Sequence, residues 1–174
     1  MAKEEDKANS MALPNTNQPW VCKYKPPLFW EPITDHPIKV KLANMRAAIA
    51  AGADVNELDK APDPRRNYGR PLHFASDASH VEFKYLKENL PVIKLLLEAG
   101  ADPRLPGMMY TDSALEELKF SLRGALRNER FQPEWKEVIP FLREAYMVMK
   151  EAADSLDGMF VRSPLWMKDG FLTV

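Results

Sequence analysis

Three histidines, one cysteine and a basic segment are the parts of this chain whose residue types and spacing could do chemistry. His36 and His80 each stand nine positions after a proline, Pro27 and Pro71, and each has an aspartate close by, Asp35 and Asp77. An imidazole beside a carboxylate is the pairing a general base needs, and Tyr110 could supply a second acid. His36, His80, Asp77 and Tyr110 are therefore the catalytic set if the chain is an enzyme. The repetition of the histidine argues against it, because a catalytic base is needed once and a structural cap recurs. His73 and Asp77 share a helix face, but no two histidines have the spacing of a helix-borne zinc pair, and neither a metal nor a cofactor is expected. Cys22 lies in VCKYK, where Lys23 and Lys25 favour the thiolate. Nucleophilic catalysis also requires an oriented base, and none is near in sequence, so a partly buried structural cysteine is the expectation.

Binding chemistry is better represented. Residues 57–70, ELDKAPDPRRNYGR, bring Lys60, Arg65, Arg66 and Arg70 together with Tyr68, and residues 103–111 offer Arg104, Leu105, Met108, Met109 and Tyr110. Arginine and tyrosine are enriched at binding hot spots, and exposed methionine suits an adaptable surface. The bland alternative is that each segment folds back on its own unit.

These residues are positioned by an internal repeat. Residues 50–56 read AAGADVN and residues 98–104 read EAGADPR, with Gly52 and Gly100 48 positions apart. Upstream, PLFW at 27–30 matches PLHF at 71–74, and RSPLW at 162–166 echoes GRPLH at 69–73. Each unit is expected to hold a first helix, a connection, and a second helix that a left-handed glycine stops. Ser113 to Glu116 is a capping-box pattern opening a helix through Leu115, Leu118, Leu122, Ala125 and Leu126. In the middle unit Asn89 is placed to cap a helix that Pro91 starts, with Val92, Ile93, Leu95, Leu96 and Leu97 facing neighbours on two sides. Pro140 is expected to start the corresponding third-unit helix, which ends at EAAD, 151–154. In unit one, Pro32 should cut the helix after Pro27 to about a turn.

PLHFA at 71–75, HVE at 80–82 and VIKLLLEAGAD at 92–102 closely resemble the ankyrin repeat, whose signature includes T-P-L-H-x-A. The likeness covers residues 27–154 and is strongest in the middle third. It implies an all-α fold: a short ankyrin-like helical solenoid of about three long repeats, with an extended N-terminal arm and a C-terminal capping tail. It also implies that the two basic or methionine-bearing segments are hairpins beside a concave groove lined by Phe74 and Asp77, and that His73 ties one unit to the next. The units are longer than the usual ~33 residues, with about six extra in the hairpin and about nine between the helices. Arg70 stands where the family has a threonine, without the hydroxyl that bonds the His73 backbone.

Composition limits the rest. There are 24 basic and 25 acidic residues, so no overall field exists to hold a nucleic acid or an anionic membrane, and no partner of either kind is expected. Fifteen prolines against 7 glycines suit sharply started helices and stiff connections. One cysteine fits a reducing compartment, cytoplasmic or nuclear. Residues 1–18 are expected to be disordered, 19–158 to form the repeat domain, and 159–174 to cap it or to join two copies into a dimer. The function these features imply is a protein–protein interaction module, with no catalysis needed. The alternative is a small enzyme or small-molecule-binding protein on the same scaffold, its pocket closed by Trp20, Phe29 and Trp30 near His36, Phe74, Asp77 and Tyr110.

Overall fold

A computed structural model describes residues 26–59, 69–76, 83–107, 112–130 and 133–161. Its elements are α1 (Pro27–Trp30), a 3-10 turn (Glu31–Ile33), α2 (Ile38–Ala50), α3 (Pro71–Ser76), α4 (Phe83–Glu98), α5 (Ala114–Asn128) and α6 (Trp135–Val161). No strand occurs among the described residues, where one isolated antiparallel bridge joins Pro106 to Ser113. The fold class is all-α, and no helix is long and apolar enough to cross a membrane among the described residues.

The helices pack in successive pairs of which the first is the shorter, α1 on α2, α3 on α4 and α5 on α6. The first members also touch along the series, α1 with α3 and α3 with α5, as do the second, α2 with α4 and α4 with α6. Lys87 reaches Glu137 and Lys94 reaches Glu144, each at 2.9 Å. Both pairs have the same 50-residue offset, so α4 and α6 run parallel in one register. These exposed bridges add little stability; the apolar seam beneath them holds the helices. Met45, Val92, Ile93, Leu96, Leu118, Val138, Leu142 and Met149 are fully buried in one continuous cluster spanning α2, α4, α5 and α6.

Local signals explain most element ends. Pro32 confines α1 to four residues and turns the chain into the 3-10 segment. Gly52 and Gly100 have φ of 91° and 93° and close α2 and α4 with identical paired bonds: Gly52 N–H to Ile49 O and Ala53 N–H to Ala48 O, then Gly100 N–H to Leu97 O and Ala101 N–H to Leu96 O. Ser113 caps α5 through the expected box, accepting from Glu116 N–H while its own N–H donates to the Glu116 carboxylate.

The prolines correct the expectation. Neither Pro91 nor Pro140 starts a helix; both lie inside one, α4 beginning at Phe83 and α6 at Trp135. Both rings are exposed, where water can serve the carbonyl left without an amide four residues back. Asn89 consequently caps nothing and is buried in mid-helix. The third-unit helix also overruns its expected stop at 151–154 and continues to Val161, into the segment expected to be a tail. The EAAD stretch lacks the glycine of EAGAD, and two alanines favour continuing the helix. The remainder of the expected N-terminal arm and C-terminal tail lies outside the described residues.

Candidate functional site

The segments that follow α2 and α4 and those that lead into α3 and α5 form the best-defined polar assembly. After each glycine stop an aspartate closes a turn, Asp54 Oδ1 accepting from Asn56 N–H at 2.8 Å and Asp102 Oδ1 from Arg104 N–H at 2.9 Å. Asn56 then reaches into the next unit: its Nδ2 donates to Gly100 O at 3.0 Å and its Oδ1 accepts from Asp102 N–H at 2.8 Å. Arg104 holds the equivalent place and forks onto both oxygens of Asp102, at 2.9 and 2.8 Å, while its other nitrogen bonds Asp157 on α6. One position thus links each hairpin forward.

Arg70 and His73 fasten the far side of the first hairpin. Asp59 N–H donates to Gly69 O at 2.8 Å, joining the two described residues on either side of 60–68. Arg70 N–H donates to His73 Nδ1 at 3.2 Å, so the proton of the neutral ring sits on Nε2, which faces Asp112 O at 3.4 Å. His73 therefore links the start of α3 to Asp112 just before α5, and the backbone amide of Arg70 serves its ring without a threonine. The Arg70 side chain is committed as well, Nε donating to Pro106 O at 3.1 Å and Nη1 to Asn56 O. It acts as a strut between hairpin bases rather than as a free binding group.

A second assembly is buried around α1. The Glu31 side chain has no exposed surface and collects His36 Nδ1 at 3.0 Å, Thr34 Oγ1 at 3.4 Å and Asn44 Nδ2. Beside it, the fully buried Lys41 donates Nζ to Pro32 O at 3.2 Å, and Asn89 donates Nδ2 to the same carbonyl at 2.9 Å and to Ala75 O at 3.4 Å. Asn89 Oδ1 is buried without a hydrogen-bond partner. Phe74 is buried too, edge-on to Phe29 with centroids 5.5 Å apart, so its ring packs in the interior and does not line a surface groove as expected.

Of the residues singled out from sequence, His36, Arg70 and Phe74 are placed as described, in different surroundings. Lys60, Arg65, Arg66, Tyr68, Asp77, His80, Met108, Met109, Tyr110 and Cys22 lie outside the described residues. His36 has a buried carboxylate behind its Nδ1 and the Trp30 ring at 6.3 Å, the arrangement of an oriented base. Thr34, the nearest hydroxyl, bonds Glu31 instead of the imidazole. Among the described residues no group of three or more His, Cys, Asp or Glu side chains converges on a metal site. Sequence reasoning passed over Asn56, Glu31, Lys41 and Gly69. Asn56 alone carried a signal, as the last residue of the repeated GADVN.

The guanidinium of Arg104 holds the Asp102 carboxyl below the ordinary aspartate range and is itself held charged. The stability this lends is present above the unfolded aspartate pKa and is lost as pH falls through the lowered folded value. Asp102→Asn should thus cost roughly 1–2 kcal/mol at neutral pH and flatten the acid limb of the stability curve below about pH 4. Urea melts across that range check it, and an acid limb identical to that of the parent would mean solvent screens the pair.

Comparison with known proteins finds no match: no family model, no curated protein and no solved structure matches the chain.

Proposed function

We propose that the chain is an ankyrin-like helical solenoid of about three long repeats, and that it binds another protein through its hairpin loops and the groove beside them. The observation that supports this is the anchoring of the hairpin bases. Asn56, Arg70 and His73 tie the residues flanking 60–68 to those flanking 108–111, and Arg104 ties the latter to α6. Fixed anchor points on a helical scaffold lower the ordering cost of a binding surface built between them. The parallel register of α4 and α6 and the 48-residue recurrence of the helix stops agree with stacked units.

Reversing two charges in the first loop, Arg65→Glu with Arg66→Glu, is the test. It should weaken capture of a partner isolated by pull-down about tenfold or more while the helical circular dichroism signal stays intact. Undiminished capture would refute the assignment of the loop. The alternative, a small-molecule site, rests on His36 held by Glu31 beside Trp30, and it requires His36→Ala to abolish binding of that molecule.

A further inference from the structure

The solvent face of α5 combines charge and apolar surface in a way the fold does not use. Phe120 is 78 % exposed and Leu126 45 % exposed, and Lys119, Arg123, Arg127 and Arg130 are exposed between and beyond them. At 100° per residue Lys119, Phe120, Arg123, Leu126 and Arg127 fall on one side of α5, opposite the buried Leu118 and Ala125, and Arg130 follows just beyond the helix end. None of the four cations forms a salt bridge among the described residues, and only Lys119 has a carboxylate close enough for it to lower the pKa, that of Glu116, whereas Lys87, Lys94, Arg104 and Lys150 are all bridged. Arg127 and Arg130 complement the carbonyl end of the helix. Lys119 and Arg123 lie before the last turn, and Arg123 and Arg127 are like charges one turn apart, which disfavours the isolated helix. Phe120 gains nothing from this position in the folded chain.

We infer that this face docks an acidic protein segment bearing an apolar side chain. Charge complementarity selects the occupant. The helical part of the cationic stripe, Lys119 to Arg127, is about 12 Å long, and Glu116 lies on the same side at its N-terminal end. A short run of carboxylates spans that length, while a phosphate backbone that continued past its N-terminal end would meet Glu116. The aromatic and aliphatic flanks match an apolar anchor, and Arg with an aromatic ring is the composition of a protein hot spot. The inference stands whether or not residues 57–70 and 103–111 bind a partner.

A fluorescein-labelled peptide of glutamates and aspartates around a central pair of leucines is the probe, read by fluorescence anisotropy. It should bind the intact chain, and Arg123→Glu with Arg127→Glu should weaken it at least about tenfold, one decade in Kd. Phe120→Ser, or serine in place of the peptide leucines, should weaken it to a similar degree. All three altered positions are exposed, so circular dichroism should not change. The Arg65→Glu, Arg66→Glu chain should bind the peptide as the parent does. Absence of peptide binding, indifference to the α5 substitutions, or dependence on Arg65 and Arg66 overturns the inference. So does tighter binding to oligodeoxythymidylate or to phosphatidylserine vesicles, or self-association abolished by Phe120→Ser.

Discussion

Glu31→Ala should lower the free energy of unfolding by roughly 3 kcal/mol, a sizeable share of what a small domain has. The carboxylate has no exposed surface and three side chains donate to it. Truncation leaves a cavity and strips those donors of their acceptor at once. The donors are not equally hurt. Thr34 keeps its 2.9 Å bond to Glu31 O, a backbone atom that the substitution retains. His36 and Asn44 are half-buried and can turn partly to water. The cavity and the incomplete rehydration of Asn44 therefore carry most of the cost. Glu31→Gln separates shape from charge: its carbonyl can accept from Asn44 while its amide donates to His36 Nδ1 in the other tautomer, so about 1 kcal/mol is expected. Urea denaturation followed by circular dichroism gives both numbers. Equal losses for the two variants would place the importance of Glu31 in its charge; a loss under about 1 kcal/mol for alanine would remove the cluster as an organiser of the α1 end.

What could be read from the sequence divides along the range of the interactions. Helix stops at Gly52 and Gly100, the cap at Ser113 and the one-turn helix before Pro32 are all set by a few adjacent residues or by a repeated pattern. The helix starts in the second and third units were misplaced because proline was treated as a local breaker. Pro91 and Pro140 sit on exposed faces of helices whose opposite faces are clamped between neighbours, and the packing of Val92, Ile93, Val138 and Leu142 outweighs the missing bond. Longer-range features were not legible. A glutamate between Trp30 and Pro32 looks solvated until α2 and His36 fold over it. Arg70 looks like a free binding group until the next hairpin presents Pro106 O. Phe74 follows the same logic, since only the approach of Phe29, 45 positions earlier, shows that the ring faces inward.

Gly69 tests the same point from the other side, because a single added methyl should cost about 3 kcal/mol or more. Its φ of 111° lies where side chains are rarely tolerated, and a Cβ there would stand 3.0 Å from Gly107 Cα, 3.0 Å from His73 Cγ and 3.1 Å from His73 Nδ1. Gly107 Cα belongs to the neighbouring hairpin and cannot move alone. The imidazole could yield, but only by releasing the Arg70 amide from Nδ1 and the Asp112 carbonyl from Nε2. Either movement separates the hairpin bases that support the proposed binding loops. Gly52→Ala is the matched control: φ is 91° and nothing lies within 4 Å, so only the backbone penalty, about 1–2 kcal/mol, applies. Urea melts of the two variants should therefore differ by roughly 1–2 kcal/mol, a gap that reports the close approach of the two hairpins. In the folded Gly69→Ala protein the His73 ring protons should shift in NMR spectra, whereas Gly52→Ala should leave them in place. Equal destabilisation with an unmoved His73 would mean that the hairpin bases do not pack as closely as their geometry requires.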